Sequence, residues 1–169
     1  MQIRRVVTGQ AADGTSVFVS DDVLGEHQFG QVWGSDDLVA LPTDGTEPKW
    51  SGFFPPATGF RFLVWTLPPE PRGGPANLLT PDVIARMNER LPGLLDAMEP
   101  DNPGMHTTDT VDFDIVLAGE VYLELDDGAE VKLTTGDCVI QNGTRHAWHN
   151  RSDEPATMAS ALVGAPRRK

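Results

Sequence analysis

Cysteine is almost missing from this chain of 169 residues: Cys138 is the only one. An internal disulfide is therefore impossible, and no multi-cysteine zinc module can form. Its place in an apolar run reads as a buried, inert thiol. Positive charge is also scarce. Thirteen Lys and Arg stand against 25 Asp and Glu, a net charge of −12. The basic residues cluster only at Arg167-Arg168-Lys169. Phosphate contacts need clustered positive charge, so nucleic acid is not an expected partner. A glycine-rich phosphate loop is absent, so no nucleotide cofactor is expected. No stretch approaches the roughly 18 apolar residues of a membrane span. Residues 1–7 lack the apolar core of a signal peptide. These absences lead to the expectation of a cytoplasmic protein with no membrane partner. No repeat at a solenoid period is visible.

What is abundant is turn chemistry. Seventeen Gly and 14 Pro, with 39% hydrophobic residues, predict many turns and short strands around one core. The expected class is all-β, with residues 1–169 as a single domain. Segments 3–8, 16–20, 29–33 and 60–66 read as strands, with Asp13-Gly14 as a hairpin turn between the first two. Residues 34–59 form a long, proline-bearing connection of the kind that binds or covers. Together residues 1–66 make an N-terminal part of strands and loop. Residues 67–103 read as a helical insertion. Thr80 is a good N-cap, Pro81 suits the first helical position, and Ile84, Met87, Leu91 and Met98 recur near a helical period. This predicts a helical excursion around 81–98, broken or kinked at Pro92, packed on the wall or serving as a lid. Residues 104–163 are dense in strand signals, at 113–117, 121–125, 131–133, 139–141 and 158–163. Asp126-Asp127-Gly128 supplies a tight turn.

Three of the four histidines lie in two short stretches of that last part. The first holds His106, Thr108, Asp112 and Gly119. The second holds Gly136, Gln141, Gly143, His146 and Asn150. Strand side chains alternate faces, so residues 106, 108, 110, 112 and 114 share one face. That face carries His, Thr, Thr, Asp and Asp, a site rather than a packed core. Asp109 points outward by the same argument. Val111, Phe113 and Ile115 occupy the other face and need a cover, which predicts a homodimer. His146, Trp148 and Asn150 share a face, with Trp148 as an apolar wall carrying one donor. His149 falls on the opposite face and reads as surface structure. Tyr122 and Glu124 could line the interior by parity, or be ordinary strand residues.

The two stretches resemble the paired motifs of the cupin superfamily. The first family motif reads Gly, five residues, His-x-His, three or four residues, Glu, six residues, Gly. Here it is His106-x-Thr108, three residues, Asp112, six residues, Gly119. The second reads Gly, five residues, Pro-x-Gly, two residues, His, three residues, Asn. Here it is Gly136, four residues, Gln141-x-Gly143, two residues, His146, three residues, Asn150. The resemblance implies a double-stranded β-helix, a jelly-roll barrel. It also implies a divalent metal on His106, Asp112 and His146, with Thr108 in place of the family's second His. Two His and one carboxylate suit Zn, Fe or Mn. The open alternative is a metal-free acid–base pair. Asp114 stands as a fourth ligand or general base, so His106, Asp112, Asp114 and His146 are the catalytic candidates. Thr108, Thr110, Tyr122 and Trp148 are the substrate-pocket candidates. The leading expectation is lyase, dehydratase or isomerase chemistry on a small oxygenated metabolite. The alternatives are an Fe(II) dioxygenase and a non-catalytic ligand-binding protein.

Overall fold

The computed structural model describes residues 2–25, 29–71 and 80–168. Residues 72–79 of the expected helical insertion lie outside them. Twelve strands are present among the described residues. β1 (Ile3–Gln10) and β2 (Ser16–Leu24) form an antiparallel ribbon. β3 (Phe29–Ser35) and β4 (Phe60–Leu67) precede α1 (Pro81–Arg90), the one α-helix among the described residues. β5 (Met98–Glu99) and β6 (Asn102–His106) make a short ladder, and β7 (Thr110–Ala118) follows. The chain closes with β8 (Glu120–Glu124), β9 (Glu130–Thr134), β10 (Cys138–Asn142), β11 (Ala147–His149) and β12 (Ala156–Gly164).

Two sheets carry the architecture. One has five strands in the order β10-β7-β12-β4-β3, the other three in the order β11-β8-β9. Alternation drives their burial. Along β7, Thr110, Asp112, Asp114 and Val116 are buried while Phe113 and Leu117 are exposed. The main core lies between the sheets. It joins Leu63 and Trp65 of β4, Val116 of β7 and Met158 and Leu162 of β12 to Val121 and Leu123 of β8 and Leu133 of β9. The sheets do not close into a continuous barrel, but the fold is that of the double-stranded β-helix.

The helix begins where local chemistry directs it. Thr80 Oγ1 accepts from the Val83 amide and Pro81 takes the first helical position. It ends before Pro92, and a 3-10 turn at Leu95–Ala97 follows. Met98, expected on the helix, instead begins β5, because Pro92 and Gly93 end the helical period six residues earlier. No residue of α1 is fully buried. Its Met87, with Leu91 just beyond, packs against the core.

The outer face of the five-stranded sheet has no charge along its central row. Ile140, Phe113, Ala161, Phe62 and Trp33 are direct cross-strand partners from β10 to β3. Ile140 and Phe113 are 54% and 50% exposed. Ile3 and Leu24 of the ribbon cover only the neighbouring patch of Val32, Val64, Ala159 and Ile115. Cys138 belongs to this outer face and is exposed, not buried. β10 is an edge strand whose even-numbered side chains point out, so the apolar run around the thiol does not enclose it.

Candidate active site

The main chain brings the two histidines together. His106 donates its amide to the His146 carbonyl and receives the reverse bond, both 2.9 Å. Directly paired residues of an antiparallel bridge project to the same side. The two imidazole centroids are 4.2 Å apart. Each Nδ1 lies 2.9 Å from a backbone carbonyl, Gly104 for His106 and Thr144 for His146. A carbonyl only accepts, so each Nδ1 carries the proton. In the neutral ring the lone pair is then on Nε2.

Both rings line a cavity of about 170 Å³ between the sheets. Its floor holds His106, His146, Asp112, Asp114 and Ser160. Trp148 and Trp65 supply apolar wall, their rings edge-on at 6.2 Å. Phe53 and Phe54 come from the long 34–59 connection, and Leu94 and Met98 from the segment after α1. Parity arguments within strands could not reveal these four.

Each carboxylate ends a chain of hydroxyls. The Thr110 hydroxyl lowers the Asp112 pKa against its burial, and the Thr108 and Thr110 hydroxyls share a hydrogen bond of 2.8 Å in which either can donate. Thr108 is thereby linked through Thr110 to the surroundings of Asp112. In parallel, the Trp65 indole N–H donates to Ser160 Oγ at 2.8 Å, and Ser160 donates to Asp114. Burial penalises charge on all four titratable groups. Desolvation pushes Asp112 up to about 7, against the Thr110 bond and with help from the charge of Asp114. Desolvation likewise raises Asp114 to about 6, against the Ser160 bond. It lowers His106, and lowers His146 to about 4 with the neighbouring His106 adding to the effect.

Of the expected pocket residues, Thr108 and Thr110 are buried behind Asp112 and do not line the cavity. Tyr122 faces outward, its ring between Lys132 and Arg151. Val121 and Leu123 take the inner face of β8, so the even parity of β7 does not continue past Gly119. Glu124 is on the same outer side, where it meets His149 Nε2 at 2.7 Å while Glu70 meets Nδ1 at 2.6 Å. Asp109 is exposed and bonded to Arg167, which also holds the Thr108 and Gly143 carbonyls. Asn150 is fully buried as a structural clamp. Its amide donates to the Leu67 and Glu154 carbonyls, and its oxygen accepts from Ser152.

The donor set His106, Asp112 and His146 suits a divalent ion chemically. Two ligands of one Zn, Fe or Mn ion stand at most about 4.4 Å apart. Among the described residues, the trio whose ligand atoms all lie within 4.8 Å of one another is Glu124, Glu130 and His149, outside the cavity. The cavity trio is not gathered to that spacing, so its residues as placed do not fit a three-ligand centre.

The Cupin domain family model matches residues 97–162. A "Cupin-domain-containing oxidoreductase srdB" from Neurospora crassa is 29% identical over 160 residues, 94% of this chain and 72% of that protein. A "Phomopsin biosynthesis cluster protein C'" from Diaporthe leptostromiformis is 48% identical over 48 residues, but these are 28% of this chain and only 25% of that protein. A Cupin 2 conserved barrel domain protein from Salinispora arenicola aligns with a TM-score of 0.40 at 20% identity, covering 63% of this chain and 64% of that one. The family match falls on the strands that hold the histidine pair, and residues 97–162 of this chain are similar to the cupin domain.

Proposed function

We propose that the cavity is the active site of a small-molecule enzyme that moves protons on an oxygenated substrate, as a dehydratase, lyase or isomerase does. One observation supports this above the others: two carboxylates held toward their protonated forms share an apolar cavity with two imidazoles held neutral. Environments that separate acid from base in this way assign the roles. His146 Nε2 takes a proton from the substrate. Protonated Asp112 gives one to the departing oxygen. In a dehydration, water leaves, and proton return from His146 to Asp112 restores both groups.

The pH profile follows from the two values. The base works once deprotonated, above about 4, and the acid works while protonated, below about 7. Activity is expected to be bell-shaped with limbs near those pH values. The test is proton NMR in D2O with small hydroxy- and oxo-compounds. Wild type should exchange or eliminate the C–H beside the oxygenated carbon without oxygen. His146→Ala should be slower by about 10²-fold or more.

A second reading is favoured by the Neurospora crassa relative, which is named an oxidoreductase and aligns across most of this chain. In it, His106, Asp112 and His146 would be the residues to hold iron, which would supply the redox chemistry, and they would have to stand closer together than they do here. Oxygen uptake that requires Fe(II), with iron bound in elemental analysis, would establish that reading and reject the first.

The exposed Ile140, Phe113 and Phe62 of this row support a further part of the proposal, a homodimer joined through this face. Phe113→Glu should convert it to a monomer in light scattering at micromolar concentration. A wild-type monomer under the same conditions rejects the dimer.

A further inference from the structure

We infer that the cavity holds a flat aromatic ring of its substrate against two pairs of aromatic side chains, with Phe54 and Trp148 as the residues that select it. The inference rests on the reading of this cavity as a substrate site and adds the class of molecule that fits there. The imidazole pair has an aromatic neighbour at each member. The Phe54 ring lies 6.3 Å from that of His106, and the Trp148 ring lies 6.2 Å from that of His146, perpendicular to it at 88°. All four rings line the same cavity. Each outer ring is itself paired. Phe53 meets Phe54 edge-on at 4.9 Å and 85°, and Trp65 meets Trp148 at 6.2 Å and 69°. An edge-on pair thus adjoins each histidine. Phe54 and Trp148 are half-buried where Phe53 and Trp65 are buried, so one ring of each pair keeps accessible surface.

These walls are tied to the frame. Trp65 donates its indole N–H to Ser160 Oγ at 2.8 Å. Trp148 belongs to β11, where it pairs with Leu123 of β8. The Phe53 amide donates to the Pro92 carbonyl at 2.8 Å, and the adjoining Gly52 carbonyl accepts twice from buried Arg61, at 3.1 and 2.9 Å. Walls already ordered leave a ligand little ordering cost to meet. Aromatic rings attract one another edge to face at centroid spacings of roughly 4.5–7 Å, the positive rim of one meeting the negative face of the next. A flat ring in the cavity extends the packing that the walls already have. A saturated ring has no such rim and face, and gains burial alone. The volume of about 170 Å³ suits one ring, since an apolar cavity of roughly 150 Å³ takes up benzene.

Benzyl alcohol and cyclohexylmethanol test this, because they differ only in the saturation of the ring. The saturated ring is the more apolar, so burial alone favours cyclohexylmethanol. In calorimetric titration of wild type, benzyl alcohol should instead bind roughly fivefold more tightly. Phe54→Leu and Trp148→Leu stay apolar, and each should bring the two alcohols to within about twofold of one another. Wild type alone gives a second reading: bound benzyl alcohol should show nuclear Overhauser contacts to the Phe54 and Trp148 ring protons. Equal or tighter binding of cyclohexylmethanol by wild type overturns the inference. So does an unchanged ratio in either variant, a missing contact to either ring, or a wild type that binds neither alcohol at millimolar concentration. None of these measurements involves turnover. An intact aromatic preference without proton exchange counts only against proton transfer, and a lost preference with exchange intact counts only against the ring site.

Discussion

Arg61→Ala is expected to lower the melting temperature by roughly 10–15 °C, the largest stability effect of any single replacement considered. Arg61 sits in β4 and is 1% exposed. Its guanidinium pairs with Asp36 and donates to the carbonyls of Ser35, Phe60 and Gly52. The Trp50 ring lies 5.4 Å from it. Alanine leaves buried carbonyls and a carboxylate without their partner, a loss on the order of 3–5 kcal/mol. The effect reaches the cavity, because these bonds tether the connection that carries Phe53 and Phe54. Arg61→Lys keeps the charge but not the planar fork, so it should fall between the two. Circular dichroism melts decide the matter: a drop below about 3 °C for alanine contradicts this account.

Asp112→Asn should act in the opposite direction on stability while abolishing turnover. Burial holds the folded-state pKa of Asp112 near 7, above the ordinary value of 3.8. Between those values the folded chain binds more protons than the unfolded one, so stability falls as pH rises through that window. Asn has no proton to lose. The two proteins should melt alike near pH 4. Above pH 7 the variant should be more stable by on the order of 2–4 kcal/mol. Melting curves at pH 4, 6 and 8 measure the gap. A variant less stable than wild type at pH 8 means that Asp112 stays charged at little cost, and the acid role assigned to it fails. Greater stability bought with lost activity is the common signature of a strained functional residue.

The inward face of the first motif was legible because the alternation keeps its phase across the bend at residues 107–109 that separates β6 from β7. Burial of Met105 aside, residues 106, 108, 110, 112 and 114 turn in together. Tyr122 was misplaced by carrying that phase through a turn. Gly119, at φ 82°, redirects the chain, and the phase after a turn depends on its geometry rather than on counting. Cys138 was misplaced for a related reason: an apolar run does not say which of its residues sits on an uncovered edge. The long connection announced a binding role through its length and prolines, but not that Phe53 and Phe54 would form the wall. Arg61 gave no signal at all. A charge in a strand pattern reads as solvent-facing until the partners that bury it, distant in sequence, are known. Gln141 was seen only as a departure from a motif's proline; its pairing with Asp112 needed the register of β7 against β10.

The bridge between His106 and His146 uses only peptide groups. The distance between positions 106 and 146 is therefore independent of what side chains stand there. Exchange of either imidazole leaves these two backbone bonds in place and removes only the side chain's own bond to the Gly104 or Thr144 carbonyl. Such a socket lets one backbone pass between chemistries by single substitutions, and the positions to vary in redesigning this protein are these two before any others.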